Sequence, residues 1–96
     1  MTVLDPDGVD AELSARQLGW ERQGNELVKV LRRRDFVEAL ALVNAVGALA
    51  EEVNHHPDID IRWNTVTLRL STHSAGGITN ADFELAAAID ELSAQR

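Results

Sequence analysis

The sequence predicts an α+β fold in which three helices pack on one face of a four-stranded antiparallel sheet, in the order αββαββα. Two pairs of short segments rich in β-branched and apolar residues are each separated by turn-forming residues, which is typical of β-hairpins. A long amphipathic segment lies between these hairpins, and shorter helical patterns lie at both ends. Helices grouped on one face of an antiparallel sheet let every element bury its apolar side, so this order predicts one layered domain.

Length, charge and cysteine content restrict the classes of function. The chain has 96 residues, which we interpret as a single domain, and its net charge of −7 argues against nucleic-acid binding. It has no cysteine, which excludes disulfides and thiolate catalysis. No apolar stretch approaches the roughly 20 residues that cross a membrane, and the first residues do not resemble a signal peptide. We therefore expect a cytoplasmic protein with no membrane or nucleic-acid partner.

The first third of the chain predicts an arm, a short helix and a hairpin. Residues 1–9 are expected to form a loose arm. Residues 10–18 predict a helix. Gly24 and Asn25 then mark a turn between two extended segments, the second of which covers residues 26–33.

The clearest helix begins after Asp35. This residue is a suitable N-cap, and Glu38 three positions later completes a capping-box pattern. The helix is expected to end near His55, because Pro57 disfavours helical geometry in the residue before it. The apolar stripe predicted to face the core consists of Phe36, Leu40, Val43, Gly47, Ala50 and Val53.

A two-residue turn at Asn64 and Thr65 predicts the register of the second hairpin. In this register apolar residues face apolar partners, whereas a shift by one residue pairs apolar with polar positions. Trp63 is expected in the core because it shares the inward side of its strand. The predicted pairs are Ile61 with Leu68, Trp63 with Val66, Ile59 with Leu70, Asp60 with Arg69 and, at the strand ends, His56 with His73.

The last helix is predicted to follow the glycine-containing loop at 74–78. Thr79 is its expected cap and Asp82 lies in its first turn. The helix should continue to about Leu92. The residues predicted to be buried are Phe83, Leu85, Ala86 and Ile89.

The three histidines, His55, His56 and His73, are expected to lie together, and the residue pattern leaves three interpretations open. An imidazolium at a helix C-terminus is stabilising in itself. Three histidines can also hold a catalytic zinc ion, although adjacent histidines on a helix point about 100° apart. Finally, histidines that titrate near neutral pH can supply both a proton donor and a proton acceptor.

A wider set of residues resembles a known family. Glu51 is followed after three residues by His55-His56-Pro57, after five more by Trp63, after nine by His73 and after eight by Asp82. This spacing resembles the signature of the pterin-4a-carbinolamine dehydratases. The likeness extends to other parts of the chain, such as Gly19-Trp20 and Asp35-Phe36, and leaves out only about the first ten residues.

The resemblance implies a fold of three helices against a four-stranded antiparallel sheet. It implies a lyase that eliminates water from a 4a-hydroxytetrahydropterin to give the quinonoid dihydropterin, which recycles the pterin cofactor of aromatic amino acid hydroxylases. The reaction implied needs no metal and no cofactor. The partner implied is a small-molecule pterin, which is the substrate.

The resemblance also implies roles for individual residues. His55 and His73 would be the acid–base pair, and His56 would mainly bind and orient the pterin ring. Glu51 and Asp82 would orient the histidines. The residues that would contact the substrate are His55, His56, Pro57, Thr72, His73, Ser74 and Ala75. Departures from better-known members occur at Asn54, where an aspartate is common, and at Ile59 and Ala75, where others carry an aromatic residue and a cysteine.

Partners and alternative functions follow from the same resemblance. It implies a homodimer or homotetramer, and Val37, Leu42 and Leu49 lie off the predicted core stripe, where self-association would cover them. One alternative is a protein-interaction module, since some animal members act as dimerisation cofactors of a transcription factor. Another is a related protein that acts on a different pterin, linked to molybdopterin enzymes.

Overall fold

The computed structural model describes residues 2–95 and has the predicted order αββαββα. The sheet is antiparallel, with the strand order β1-β2-β4-β3. All three helices contribute to one core cluster with the buried face of the sheet. The elements are α1 (Pro6–Ala15), β1 (Glu21–Gln23), β2 (Glu26–Arg32), α2 (Phe36–Val53), β3 (Asp58–Arg62), β4 (Thr65–Leu70) and α3 (Asn80–Ala94).

The first helix begins earlier than the sequence predicts. Asp5 is its N-cap, with a side-chain oxygen that accepts from the Gly8 N–H at 2.8 Å, and Pro6 occupies the first turn. The expectation of a loose arm over residues 1–9 is therefore wrong from Pro6 onward. Leu4, which precedes the helix, is also held, because its N–H donates to the Ile78 carbonyl at 2.9 Å.

The buried face of α2 is not the predicted stripe. The helix starts as predicted, with Asp35 accepting from the Glu38 N–H at 2.9 Å. The second half of the predicted capping box is wrong, because the Glu38 carboxylate accepts from the Arg34 N–H at 3.4 Å and not from that of Asp35. However, Phe36, Leu40 and Val53 are exposed. This helix is apolar on several sides, so periodicity alone does not select one of them, and small residues allow the closer approach to the sheet. The fully buried residues are Ala39, Leu42, Val46 and Ala50, and Val43 and Leu49 pack against the core at its edge.

The second hairpin is shifted by two residues from the predicted register. Its turn lies at Trp63 and Asn64, so that Ile61 faces Val66 and Ile59 faces Leu68. A shift of two keeps the side chains within β3 and β4 on their predicted sides of the sheet, because side chains alternate with a period of two. The other predicted pairs, those of Trp63, of Asp60 with Arg69 and of His56 with His73, are wrong.

Asn64 accounts for the position of this turn. Its carbonyl accepts from the Arg33 N–H at 2.8 Å, and its side-chain amide donates to the Arg33 carbonyl at 2.9 Å. These two bonds fasten the turn to the end of β2. Trp63 then takes a φ of 52° and is 66% exposed, so the prediction that it lies in the core is wrong.

The last helix agrees with its prediction. A capping box joins Thr79 and Asp82, and Phe83, Leu85 and Ile89 are buried. In front of it, residues 71–79 form a compact loop closed by a bridge between Thr72 and Gly77. None of the helices within residues 2–95 combines the length and apolar character that crossing a bilayer requires.

Candidate active site

The three histidines lie around one surface depression of about 220 Å³. β3 begins at Asp58 and β4 ends at Leu70, so the segments that flank the two strands emerge at the same end of the antiparallel pair. The histidines meet there without the strand pairing between His56 and His73 that the sequence suggested. The lining residues are Asn54, His55, His56, Ser71, Thr72, His73 and Ser74.

The C-terminus of α2 fixes the start of this depression. Asn54 is the C-cap and has a left-handed backbone, with φ 53° and ψ 43°. Asparagine is one of the few residues apart from glycine that commonly adopts this conformation. The His55 N–H then donates back to the Ala50 carbonyl at 3.1 Å. Asn54 thus ends the helix and directs the two histidines away from its axis.

His55 is held by a buried carboxylate. Its Nε2 lies 2.6 Å from Oδ1 of Asp82, whose side chain is fully buried while that of His55 is 18% exposed. The other carboxylate oxygen of Asp82 accepts from the Thr72 hydroxyl and from the Thr79 N–H, both at 2.9 Å. Because an ionised carboxylate can only accept, Nε2 of His55 carries the hydrogen of the contact, and its Nδ1 is the nitrogen left for other partners.

His56 makes a similar contact in a different setting. Its Nε2 lies 2.5 Å from Oε2 of Glu51, but the two side chains are 52% and 79% exposed. The imidazole of His73 is exposed and makes no hydrogen bond with the part of the chain that the structure describes. The side chain of His55 is therefore the most restrained of the three, that of His56 is less restrained, and that of His73 is the least.

The loop that carries His73 is organised by the backbone of Thr72. The Thr72 N–H donates to the Gly77 carbonyl at 2.9 Å, and the Thr72 carbonyl accepts from the N–H groups of Ala75 and Gly76. Gly76 has a φ of 81°, which glycine adopts without strain. The backbone N–H groups of His73 and Ser74 have no acceptor within residues 2–95.

Not every predicted site residue lines the depression. Pro57 and Ala75 do not, and Glu51 reaches it only through His56. Asn54 and Ser71 line it but were not among the residues predicted to contact the substrate. A signal that could have pointed to Asn54 is its position directly before the histidine pair and three residues before Pro57, where a helix must end and asparagine can adopt a left-handed cap.

A second, smaller cavity of about 120 Å³ is also lined by His55. Its wall is mostly apolar, and His55 and Glu84 are the residues with ionisable side chains in it. Within residues 2–95, no group of three or more histidine, cysteine, aspartate or glutamate side chains is arranged to hold a metal ion.

Comparison with known proteins identifies the family. A family model described as pterin 4 alpha carbinolamine dehydratase matches residues 2–92. A protein of Roseiflexus castenholzii provisionally named as a pterin-4-alpha-carbinolamine dehydratase is 56% identical over 86 residues, which cover 86% of this chain and 92% of that protein. A protein of Thermomicrobium roseum with the same provisional name is 52% identical over 93 residues, which cover 97% of this chain and 99% of that protein.

Solved structures agree with the sequence comparison. A Brucella melitensis protein described as a transcriptional coactivator/pterin dehydratase superposes with a TM-score of 0.85 at 26% identity, covering 94% of this chain and 97% of its own. A pterin dehydratase-like protein described as a RuBisCO assembly factor in the α-carboxysome superposes with a TM-score of 0.63 at 25% identity, covering 78% of this chain and 87% of its own. On this evidence the chain belongs to the pterin-4a-carbinolamine dehydratase family.

Proposed function

We propose that this protein eliminates water from a 4a-hydroxytetrahydropterin to give the quinonoid dihydropterin, by histidine acid–base catalysis. The observation that carries this proposal is that His55, His56 and His73 line one depression in a member of this family. The proposed role is the recycling of a tetrahydropterin cofactor such as tetrahydrobiopterin.

The chemistry requires two proton transfers and no change of oxidation state. The bond between C4a and its hydroxyl oxygen breaks, and the oxygen leaves as water after it accepts a proton from a general acid. The N5 proton passes to a general base, and the electron pair that it leaves forms the C4a–N5 double bond. Because the two reacting atoms are neighbours, the reaction needs a donor and an acceptor within a few ångströms of each other.

His55 and His73 are the proposed acid–base pair. His55 has Nε2 fixed on Asp82, so its Nδ1 is the nitrogen that would exchange a proton with the substrate. His73 is exposed, and neither of its ring nitrogens bonds to the described part of the chain. His56 would orient the pterin ring, with Glu51 as its partner.

The loop after β4 offers groups for the polar edge of the pterin. A pterin carries an amide that both accepts and donates hydrogen bonds, and the free N–H groups of His73 and Ser74 would bind its carbonyl. The backbone of Thr72 is already used within the loop, so the expectation that it contacts the pterin is not carried into this proposal. Pro57 and Ala75 would shape the surroundings from behind the lining residues.

Turnover of a synthetic 4a-hydroxytetrahydropterin tests the proposal directly. We expect the wild-type protein to accelerate the loss of water and His55→Ala and His73→Ala each to lower kcat by about 10²-fold or more, the usual contribution of a general acid or base. His56→Ala should mainly raise KM. The idea fails if the wild type does not accelerate the reaction, and the assignment of the pair fails if both variants keep full activity.

We further propose that the protein associates with copies of itself through α2. Phe36, Val37, Leu40 and Val53 expose apolar side chains on this helix, and Val37 is 74% exposed. Apolar side chains left in water on a single element favour burial against another copy. This replaces the earlier expectation for Leu42 and Leu49, which lie in or against the core. Analytical ultracentrifugation should give a dimer or tetramer, and Val37→Glu with Leu40→Glu should shift it toward the monomer.

A further inference from the structure

We propose that Thr72 is a positioning residue for His55, and that its hydroxyl acts through the buried carboxylate of Asp82 rather than on the substrate. The catalytic part of this inference rests on the proposed dehydratase function. Thr72 lines the depression and would ordinarily be taken as a substrate contact. Its side chain, however, is bonded on the inner side of the depression, where Asp82 is fully buried.

The two oxygens of Asp82 have separate partners. Oδ1 lies 2.6 Å from Nε2 of His55, whereas Oδ2 accepts from the Thr72 hydroxyl and the Thr79 N–H. The Thr79 N–H belongs to the cap of α3 and is fixed by the helix. Two donors on Oδ2 therefore restrain rotation of the carboxylate and keep Oδ1 directed at His55.

The direction of each hydrogen bond follows from the number of protons available. An ionised carboxylate offers no hydrogen, so the single hydroxyl proton of Thr72 goes to Oδ2. The Thr79 hydroxyl must then be the donor in its 2.7 Å contact with the Thr72 hydroxyl. This arrangement is a directed chain from Thr79 through Thr72 to Asp82, and it ends at His55.

Burial keeps the Thr72 hydroxyl bonded to Asp82 and away from the substrate. The Thr72 residue is 5% exposed, and its hydroxyl proton is already committed to a carboxylate. Burying a carboxylate costs free energy unless hydrogen-bond donors compensate for the lost water. A substrate that took this proton from Asp82 would therefore gain little binding energy. The Thr72 hydroxyl is thus placed to hold Asp82 and, through it, the orientation of the His55 ring.

Thr72 also restrains the loop of the second proposed catalytic histidine. Its backbone N–H and carbonyl bond to Gly77, Ala75 and Gly76, and His73 follows it directly. The side chain of Thr72 therefore acts on His55, while its backbone acts on the loop of His73. A substitution that removes only the hydroxyl separates the two effects, because valine has the same branched shape and leaves the backbone bonds in place.

Three variants test the inference. Thr72→Val removes the hydroxyl, and Thr72→Ser keeps it. Thr67→Val is a matched control, since it makes the same substitution at a threonine of β4 whose side chain points away from the core. We expect Thr72→Val to lower kcat by about tenfold with KM nearly unchanged, the size of effect typical of a lost hydrogen bond to a charged group. Thr72→Ser should restore most of kcat, and Thr67→Val should match the wild type.

A second measurement does not depend on turnover. A ring proton that is hydrogen-bonded to a buried carboxylate exchanges slowly with water, so the Nε2 proton of His55 should give a distinct signal in the ¹H NMR spectrum. The signal is assigned by its loss in His55→Ala. It should persist in Thr72→Ser and Thr67→Val and be broadened or lost in Thr72→Val, while the remaining amide spectrum shows that the variant is folded.

The outcomes are distinguishable. If the wild type fails to turn over the carbinolamine, the proposed function falls, and the NMR comparison alone decides whether Thr72 positions His55. The positioning role is overturned if folded Thr72→Val keeps both kcat and the His55 signal, or if the wild type lacks that signal. It is also overturned if Thr72→Val raises KM instead of lowering kcat, which would indicate a substrate contact, or if Thr72→Ser is as impaired as Thr72→Val.

Discussion

His55 and His56 are adjacent, and each directs Nε2 at a carboxylate, yet their surroundings differ strongly. The partner of His55 is fully buried and bonded to two further donors, whereas the partner of His56 is 79% exposed. In a buried setting a hydrogen bond to a charged group is strong and geometrically fixed, and in an exposed setting water competes for both groups. We infer that His55 is held in one orientation for chemistry, while His56 can adjust to the ligand.

The largest effect is expected from Asp82→Asn, which removes the charge of the buried carboxylate. An amide lacks the charge that stabilises an imidazolium, and its oxygen should remain on the donors Thr72 and Thr79. Its NH2 group would then face Nε2 of His55 and could not accept the hydrogen that this nitrogen donates to Asp82. We expect kcat for the carbinolamine to fall by about 10²-fold or more, as for other histidines that lose an orienting carboxylate. A decrease of less than threefold would contradict the claim that the buried pair matters for catalysis.

A smaller effect is expected at Asn54, which precedes both histidines. Asn54→Ala should lower the free energy of unfolding by about 1 kcal/mol, because alanine lacks the short polar side chain whose local hydrogen bonding lets asparagine adopt the left-handed conformation. Urea titration followed by circular dichroism measures the change, and Asn54→Gly is the matched control that should retain wild-type stability. Equal losses in the two variants would show that the Asn54 side chain, and not its backbone, is what matters.

The smallest effect is expected at the exposed pair. Glu51→Gln is the same chemical change as Asp82→Asn, but we expect it to alter kcat/KM by no more than about threefold, because exposed ion pairs contribute little. Raising the salt concentration should reduce even this difference. If Glu51→Gln lowered kcat/KM as much as Asp82→Asn does, the difference in exposure between the two carboxylates would not determine how much each histidine depends on its partner.

Much of the fold was predictable because its signals are local. Turn residues, caps and alternation predicted the element order, the N-cap at Thr79 and the buried residues of α3. Two predictions failed for long-range reasons. The bonds between Asn64 and Arg33 set the turn of the second hairpin. Packing against the sheet buries the side of α2 that carries Ala39, Leu42, Val46 and Ala50, and leaves Phe36 and Leu40 exposed. Neither choice is encoded in the periodicity of one segment.

The sequence predicted which histidines lie together, but not how the fold brings them together. The spacing from Glu51 to Asp82 led to the family, and the three histidines do line one depression. The strand register that was expected to bring His73 to His56 is wrong, and the strand ends achieve the same result by lying side by side. The buried bonds among Thr72, Thr79 and Asp82 were not predicted, because hydroxyl groups in a loop carry no periodic signal.

The position of Trp63 gives the protein a useful pair of optical probes. The chain has two tryptophans, and Trp20 is 4% exposed with its Nε1 donating to Asp90 at 2.7 Å, whereas Trp63 stands at the solvent-exposed turn. Trp63→Phe would leave an interior emitter whose fluorescence shifts to longer wavelength only when the core opens. Trp20→Phe would leave an exterior emitter that responds to contacts at the tip of the second hairpin. The emission wavelengths of the two variants would thus report separately on unfolding of the core and on contacts at the hairpin tip.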